Sequence, residues 1–152
     1  MRKNRSGKLI AMSSLVGQIP FPFESIYTAS KFAIEGLVES IKYEVAPFGI
    51  RVALVEPAQV STGFSAKIHK PPPDGSPYKE RADRFIKRDE VLVKKAPTPD
   101  QAAKRILKVI LSEKPRFRNQ VDFTSTFFLF LNRFLPKRLR DVILLNHMDI
   151  NV

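Results

Sequence analysis

Hydrophobic positions change their spacing along this chain, and each change marks an element. Lys8 to Met12 (KLIAM) is a short apolar run between Gly7 and the Ser13-Ser14 pair, and it predicts a strand over 8–13. Gly17, Pro20 and Pro22 then break the pattern into a loop. From about Ser25 to Ala46 the spacing is helical, because Ile34, Val38, Ile41 and Val45 continue a face that begins with Tyr27 and Lys31. Pro47 ends that helix and Gly49 lets the chain turn. The β-branched run from Ile50 to Val55 reads as a buried parallel strand, so the first third of the chain is a βαβ unit.

Residues 65–96 are polar and interrupted by proline, with Lys70-Pro71-Pro72-Pro73-Asp74-Gly75 leading into a charged helix over about 77–93. Thr98-Pro99-Asp100-Gln101 has the form of a capping box with proline at the first helical position. It opens a helix to about Leu111 whose apolar residues are Ala103, Ile106, Leu107, Ile110 and Leu111. A short strand near 117–121 follows. The run from Phe123 to Leu135 is the most apolar segment, but thirteen residues containing Arg133 are too few to span a bilayer. Followed by Pro136-Lys137-Arg138-Leu139-Arg140, it suits a pocket wall, a subunit contact or an interfacial helix, with pocket or contact the favoured reading.

Composition narrows the classes. A chain of 152 residues with 43% hydrophobic content suits one globular domain. With no cysteine, disulfides and thiolate metal sites are excluded, which agrees with a reducing, cytoplasmic setting. The basic start is followed by too brief an apolar stretch for a signal peptide. Net charge is +11, carried near the start, over 79–95 and over 114–140. Without aromatic and basic residues interleaved on a platform, these runs read as solvated faces rather than as a nucleic-acid site, and an anionic membrane surface is the more plausible charged partner. His69 and His147 have no carboxylate at a metal-ligand spacing and read as surface residues, so no metal is expected. Glu35, Glu39 and Glu44 read as carboxylates of a solvated helix face.

The chemistry is concentrated in Tyr27-Thr28-Ala29-Ser30-Lys31 and Ser14. A tyrosine and a lysine four apart on a helix share one face, where an ammonium would lower the phenol pKa from about 10 toward neutrality. A serine at the end of the preceding strand supplies a hydroxyl for the same substrate oxygen. Ser13 is the alternative to Ser14.

This order of strand, Ser-Ser pair, loop, YTASK helix and strand resembles the short-chain dehydrogenase/reductase superfamily. The segment Pro22 to Leu37 with Pro47-Phe48-Gly49-Ile50 is similar to its 17β-hydroxysteroid and retinol dehydrogenase branch. The resemblance is strong over 7–64 and loose beyond. It implies the C-terminal part of a Rossmann-like, doubly wound parallel α/β sheet across 1–152, with a substrate lid at 65–96 and C-terminal helices and a last strand at 97–152. The family's glycine-rich phosphate-binding turn and its Asn-Asn-Ala-Gly strand have no counterpart here, so the nucleotide-binding half is expected to be absent.

By the same resemblance, hydride would pass between NAD or NADP and an alcohol or ketone, with a lipophilic substrate suggested by the branch. Tyr27 would move the hydroxyl proton, Ser14 would orient the substrate oxygen, and Lys31 would hold the tyrosinate and the nicotinamide ribose. Pro57, Ala58, Val60 and Thr62 would line the nicotinamide, Ala58 replacing the family's usual glycine. The cofactor cannot be assigned as NAD or NADP, because the residues that read the ribose belong to the other half. Partners implied are a homo-oligomer or a complementing N-terminal half, with a membrane surface left open. The alternative is a noncatalytic or complementing binding module. Unpaired along Leu9-Ile10-Ala11, the chain by itself is expected to aggregate or to seek a partner, and to bind dinucleotide weakly.

Overall fold

The computed structural model describes residues 1–68 and 70–150. Strand β1 (Gly7–Met12) runs parallel to β2 (Ile50–Glu56), in register from Gly7 opposite Ile50 to Met12 opposite Val55. Strand β3 (Arg118–Gln120) joins the other side of β2 in parallel, giving the order β1-β2-β3. Among the described residues the outer edge of β1 carries no further strand. Among the described residues six α-helices accompany the sheet: α1 (Ser25–Val45), α2 (Phe64–Ile68), α3 (Lys79–Lys95), α4 (Pro99–Leu111), α5 (Phe123–Phe134) and α6 (Lys137–His147).

The period-two alternation of a strand sends neighbouring side chains to opposite faces, and here both faces are covered. Leu9, Ala11, Val52 and Leu54 pack under Ile34, Val38, Ile41 and Val45 of α1. Ile10 and Val55 face the other way, onto Ala102, Ile106 and Val109 of α4 and onto Val121. Helices on both faces of a parallel sheet make the α/β, Rossmann-like architecture expected. A third cluster contains no strand residue: Leu15, Ile19, Phe85, Phe128, Leu144, Met148 and Ile150 close over the carboxyl ends of the strands. That cap is what encloses a site.

Gly49 turns the chain from α1 into β2 at φ 69°, and a Cβ there would lie 2.5 Å from the Arg5 carbonyl oxygen, so only glycine fits. Thr98 caps α4 through the predicted box: its side chain accepts from Gln101 N–H while Gln101 Oε1 accepts from Thr98 N–H.

Packing selects the contacting face of α4, and one expectation, for Glu35, needs correction. The packed face of α4 is Ala102, Ile106 and Val109, whereas Ala103, Leu107, Ile110 and Leu111 point to solvent. This helix is apolar around much of its circumference, so periodicity does not single out the contacting stripe. Glu35 is not on a solvated face but buried, held by Arg118 of β3, whose Nε lies 3.2 Å from its Oε2. Arg118 also reaches Glu39 at 3.0 Å and the fully buried Glu56 at 3.3 Å. Gln18 and Gln120 donate to the two oxygens of Glu56.

Candidate active site

The site begins where β1 ends. Ser13 N–H still pairs with the Val55 carbonyl at 2.9 Å, and Leu15 N–H with that of Pro57 at 2.8 Å, so the chain stays beside β2 past the last strand residue. Ser14 caps a single 3₁₀ turn, its Oγ accepting from Val16 N–H. That Oγ is 3.3 Å from the Pro57 carbonyl and also hydrogen-bonds the Tyr27 phenol, serving the two with one rotatable proton. Ser13 Oγ is buried against Gly17 without a partner, so the structure gives the contact to Ser14 rather than to Ser13.

Tyr27 and Lys31 lie in the first turns of α1, one turn apart. The ammonium is 5.6 Å from the phenol ring centroid and donates to the Met12 carbonyl at 3.1 Å. Burial lowers the Lys31 pKa. Tyr27 has its pKa raised, first by burial and then by Glu24, against a lowering by the Ser14 hydrogen bond. The expected lowering of the phenol is therefore not what this arrangement gives. Desolvation of the phenolate outweighs its single hydrogen bond, and the lysine is engaged with the β1 backbone.

All three groups open onto a cavity of about 370 Å³ past the carboxyl ends of the strands. The β2 exit loop supplies Pro57, Ala58, Val60 and Thr62 to one wall of the cavity. This loop is anchored: Ala58 N–H donates to Asp122 Oδ2 at 2.8 Å, while Asp122 Oδ1 caps α5 through Ser125 N–H at 2.7 Å. Phe64 leans on Tyr27 with ring centroids 5.5 Å apart. Phe21, Leu92, Phe128 and Met148 supply apolar surface opposite.

Sequence reasoning missed several lining residues. His147, read as a surface residue, is half-buried at the end of α6, borders the cavity and sits edge-on to Phe128 at 5.0 Å. Its pKa is lowered by burial and by Arg88, which favours neutral imidazole. Asp89 is buried in α3 and accepts from Gln59, and both border the cavity. These residues come from segments with no local motif, and only the folding of α3, α5 and α6 over the strand ends brings them in. His69 lies outside the described residues. Among the described residues no group of histidine, cysteine and carboxylate side chains is arranged to hold a metal ion.

Comparison with known proteins follows the same lines. Residues 1–72 match the family described as short chain dehydrogenase. The chain is 36% identical over 124 residues to 3-ketodihydrosphingosine reductase of Bacteroides thetaiotaomicron, which covers 80% of this chain and 46% of that protein. It is 33% identical over 147 residues to human 17-beta-hydroxysteroid dehydrogenase type 1, covering 90% of this chain and 40% of that one. A short-chain dehydrogenase from Streptomyces avermitilis superposes with a TM-score of 0.67 at 29% identity, over 93% of this chain and 49% of its own. The chain thus spans half or less of the length of the curated relatives it matches.

Proposed function

Because the chain belongs to the short-chain dehydrogenase family, we propose that it carries the substrate-side half of a nicotinamide-dependent oxidoreductase that interconverts a lipophilic alcohol and the corresponding carbonyl compound. The observation that carries this reading is the meeting of Ser14, Tyr27 and Lys31 at one wall of a largely apolar cavity. Ser14 holds the substrate oxygen, and the Tyr27 hydroxyl delivers a proton to that oxygen in reduction or takes it in oxidation. A tyrosine kept protonated by burial is poised as the acid of carbonyl reduction. Lys31 keeps a positive charge beside the phenol, 5.6 Å from its ring, and would also hold the nicotinamide ribose. A nicotinamide bound there would supply or accept the hydride.

The residues fit one end of such a cofactor. Pro57, Val60 and Thr62 would flank the nicotinamide and Lys31 the adjoining ribose, at the strand ends where open α/β sheets bind ligands. No glycine-rich turn for the pyrophosphate occurs in residues 1–152, so in this reading other residues would have to supply the nucleotide end of the site. The open edge of β1 favours a second reading in which the chain pairs with a separate nucleotide-binding half. Residues 65–96 would act as the lid, since Ser65, Asp89 and Leu92 border the cavity from that segment.

The test follows NADH or NADPH oxidation at 340 nm with the full assembly and 3-ketodihydrosphingosine, a 17-ketosteroid and retinal as substrates. Tyr27→Phe should lower turnover by roughly a hundredfold or more while nucleotide affinity stays nearly unchanged. Near-normal rates in the phenylalanine variant would remove the acid/base role.

A further inference from the structure

Helix α5 is apolar on two faces, and the fold uses only one. Phe128 is 3% exposed and borders the cavity together with Thr124. On the opposite side Phe123, Phe127, Phe130 and Phe134 are 79%, 43%, 60% and 63% exposed. Their spacing of four, three and four residues places them in a single stripe along the helix. The rings already associate with one another: Phe123 stacks on Phe127 at 6.1 Å, and Phe130 tilts against Phe134 at 4.8 Å. Four aromatic rings facing water on one short helix is more apolar surface than a soluble face ordinarily carries.

Charge selects what covers this stripe. No acidic residue occurs from Phe123 to Arg140, whereas Arg133, Lys137, Arg138 and Arg140 crowd its C-terminal end. Arg133 lies over the Phe134 ring at 5.6 Å, so cation and apolar surface adjoin directly. The nearest acid beyond, Asp141, is already paired with Arg140. Twelve residues of helix reach about 18 Å, too short to cross a bilayer but enough to lie in its interface. Among the described residues no helix is long and apolar enough to span.

We propose that α5 docks its phenylalanine stripe into the surface of an anionic lipid bilayer, with the basic α5–α6 junction on the headgroups. The exposed aromatics supply insertion and the cations supply headgroup attraction, the pairing that makes an interfacial helix stable. Since the other face of α5 forms cavity wall, docking holds the cavity about one helix diameter from the lipid. A lipophilic substrate would then enter from the bilayer rather than from water, a consequence that rests on the oxidoreductase reading while the docking itself does not.

Vesicle flotation tests it without cofactor or substrate. The protein should float with vesicles of mixed phosphatidylglycerol and phosphatidylcholine, weaken as salt is raised, and bind vesicles of phosphatidylcholine alone far less. Phe130→Glu/Phe134→Glu and Arg133→Glu/Lys137→Glu/Arg138→Glu should each lower the anionic-vesicle affinity by roughly tenfold or more. All five positions are exposed, so thermal melts should stay unchanged. Failure of the wild-type protein to float would overturn the proposal, as would variants that float like wild type. So would light scattering showing that the stripe joins two copies, with a dimer that Phe130→Glu/Phe134→Glu dissolves and vesicles that capture nothing. None of these failures bears on the Tyr27 test, which is read by turnover.

Discussion

Raising the pH from 5 to 8 should destabilise this fold through one carboxyl group. Glu56 is fully buried at the end of β2, and its pKa is pushed from 4.5 up to about 7, first by burial and then by the charge of Glu35, against the partial relief given by Gln120, Arg118 and Gln18. A folded-state pKa above the unfolded one means that the folded protein binds the extra proton between those two values. The stabilisation is complete below about pH 4.5, falls as the pH rises to about 7, and is flat beyond. At 1.36 kcal/mol per pH unit the loss is about 3 kcal/mol. That is a large share of the 5–15 kcal/mol typical of a domain, and for about 150 residues it corresponds to a fall in Tm of roughly 10 °C.

Thermal melts followed by circular dichroism across that range measure it, with Glu56→Gln as the control, because the amide stays neutral throughout. His147 changes charge in the same window with opposite sign: its lowered pKa makes the fold gain stability as pH rises through about 6.5. The difference between wild type and variant therefore isolates Glu56. A difference in Tm between wild type and Glu56→Gln that stays constant from pH 5 to 7 would refute the reasoning.

Other perturbations read different parts of the structure. Phe85→Ala removes a fully buried ring that packs on Phe23 at 5.7 Å, and should cost about 3–5 kcal/mol in urea unfolding; a cost below about 1 kcal/mol would show that α3 is not seated on the cap cluster. Asp122→Ala severs the tie between the β2 exit loop and the start of α5, and should lose about 1–2 kcal/mol while loosening amide exchange at Ala58. Unchanged protection there would remove its anchoring role. Lys31→Ala should weaken both nucleotide binding and turnover in the full assembly, in contrast to Tyr27→Phe, and calorimetry with NADH and NADPH separates the two; equal nucleotide affinity with and without the lysine would exclude its ribose contact.

The central βαβ unit was legible in the sequence because its signals are local. The run from Ile50 to Val55, the stripe Ile34-Val38-Ile41-Val45, the Pro47 stop and the Gly49 turn each act within a few residues, and the observed α1 and β2 match them closely. The YTASK spacing likewise set Tyr27 and Lys31 on one helical turn. Local pattern could not say which part of the broad apolar arc of α4 meets the sheet, or that Glu35 is buried, since both depend on Arg118 of β3 and the Val121 just beyond it. Nor could it place His147, Asp89 and Phe128 around one cavity: those positions come from α3, α5 and α6, which pack over the strand ends only through contacts distant in sequence. The direction of the Tyr27 pKa was decided the same way. A charge four residues away is a sequence property, but desolvation depends on everything folded around the phenol, and here it outweighs the hydrogen bond that opposes it.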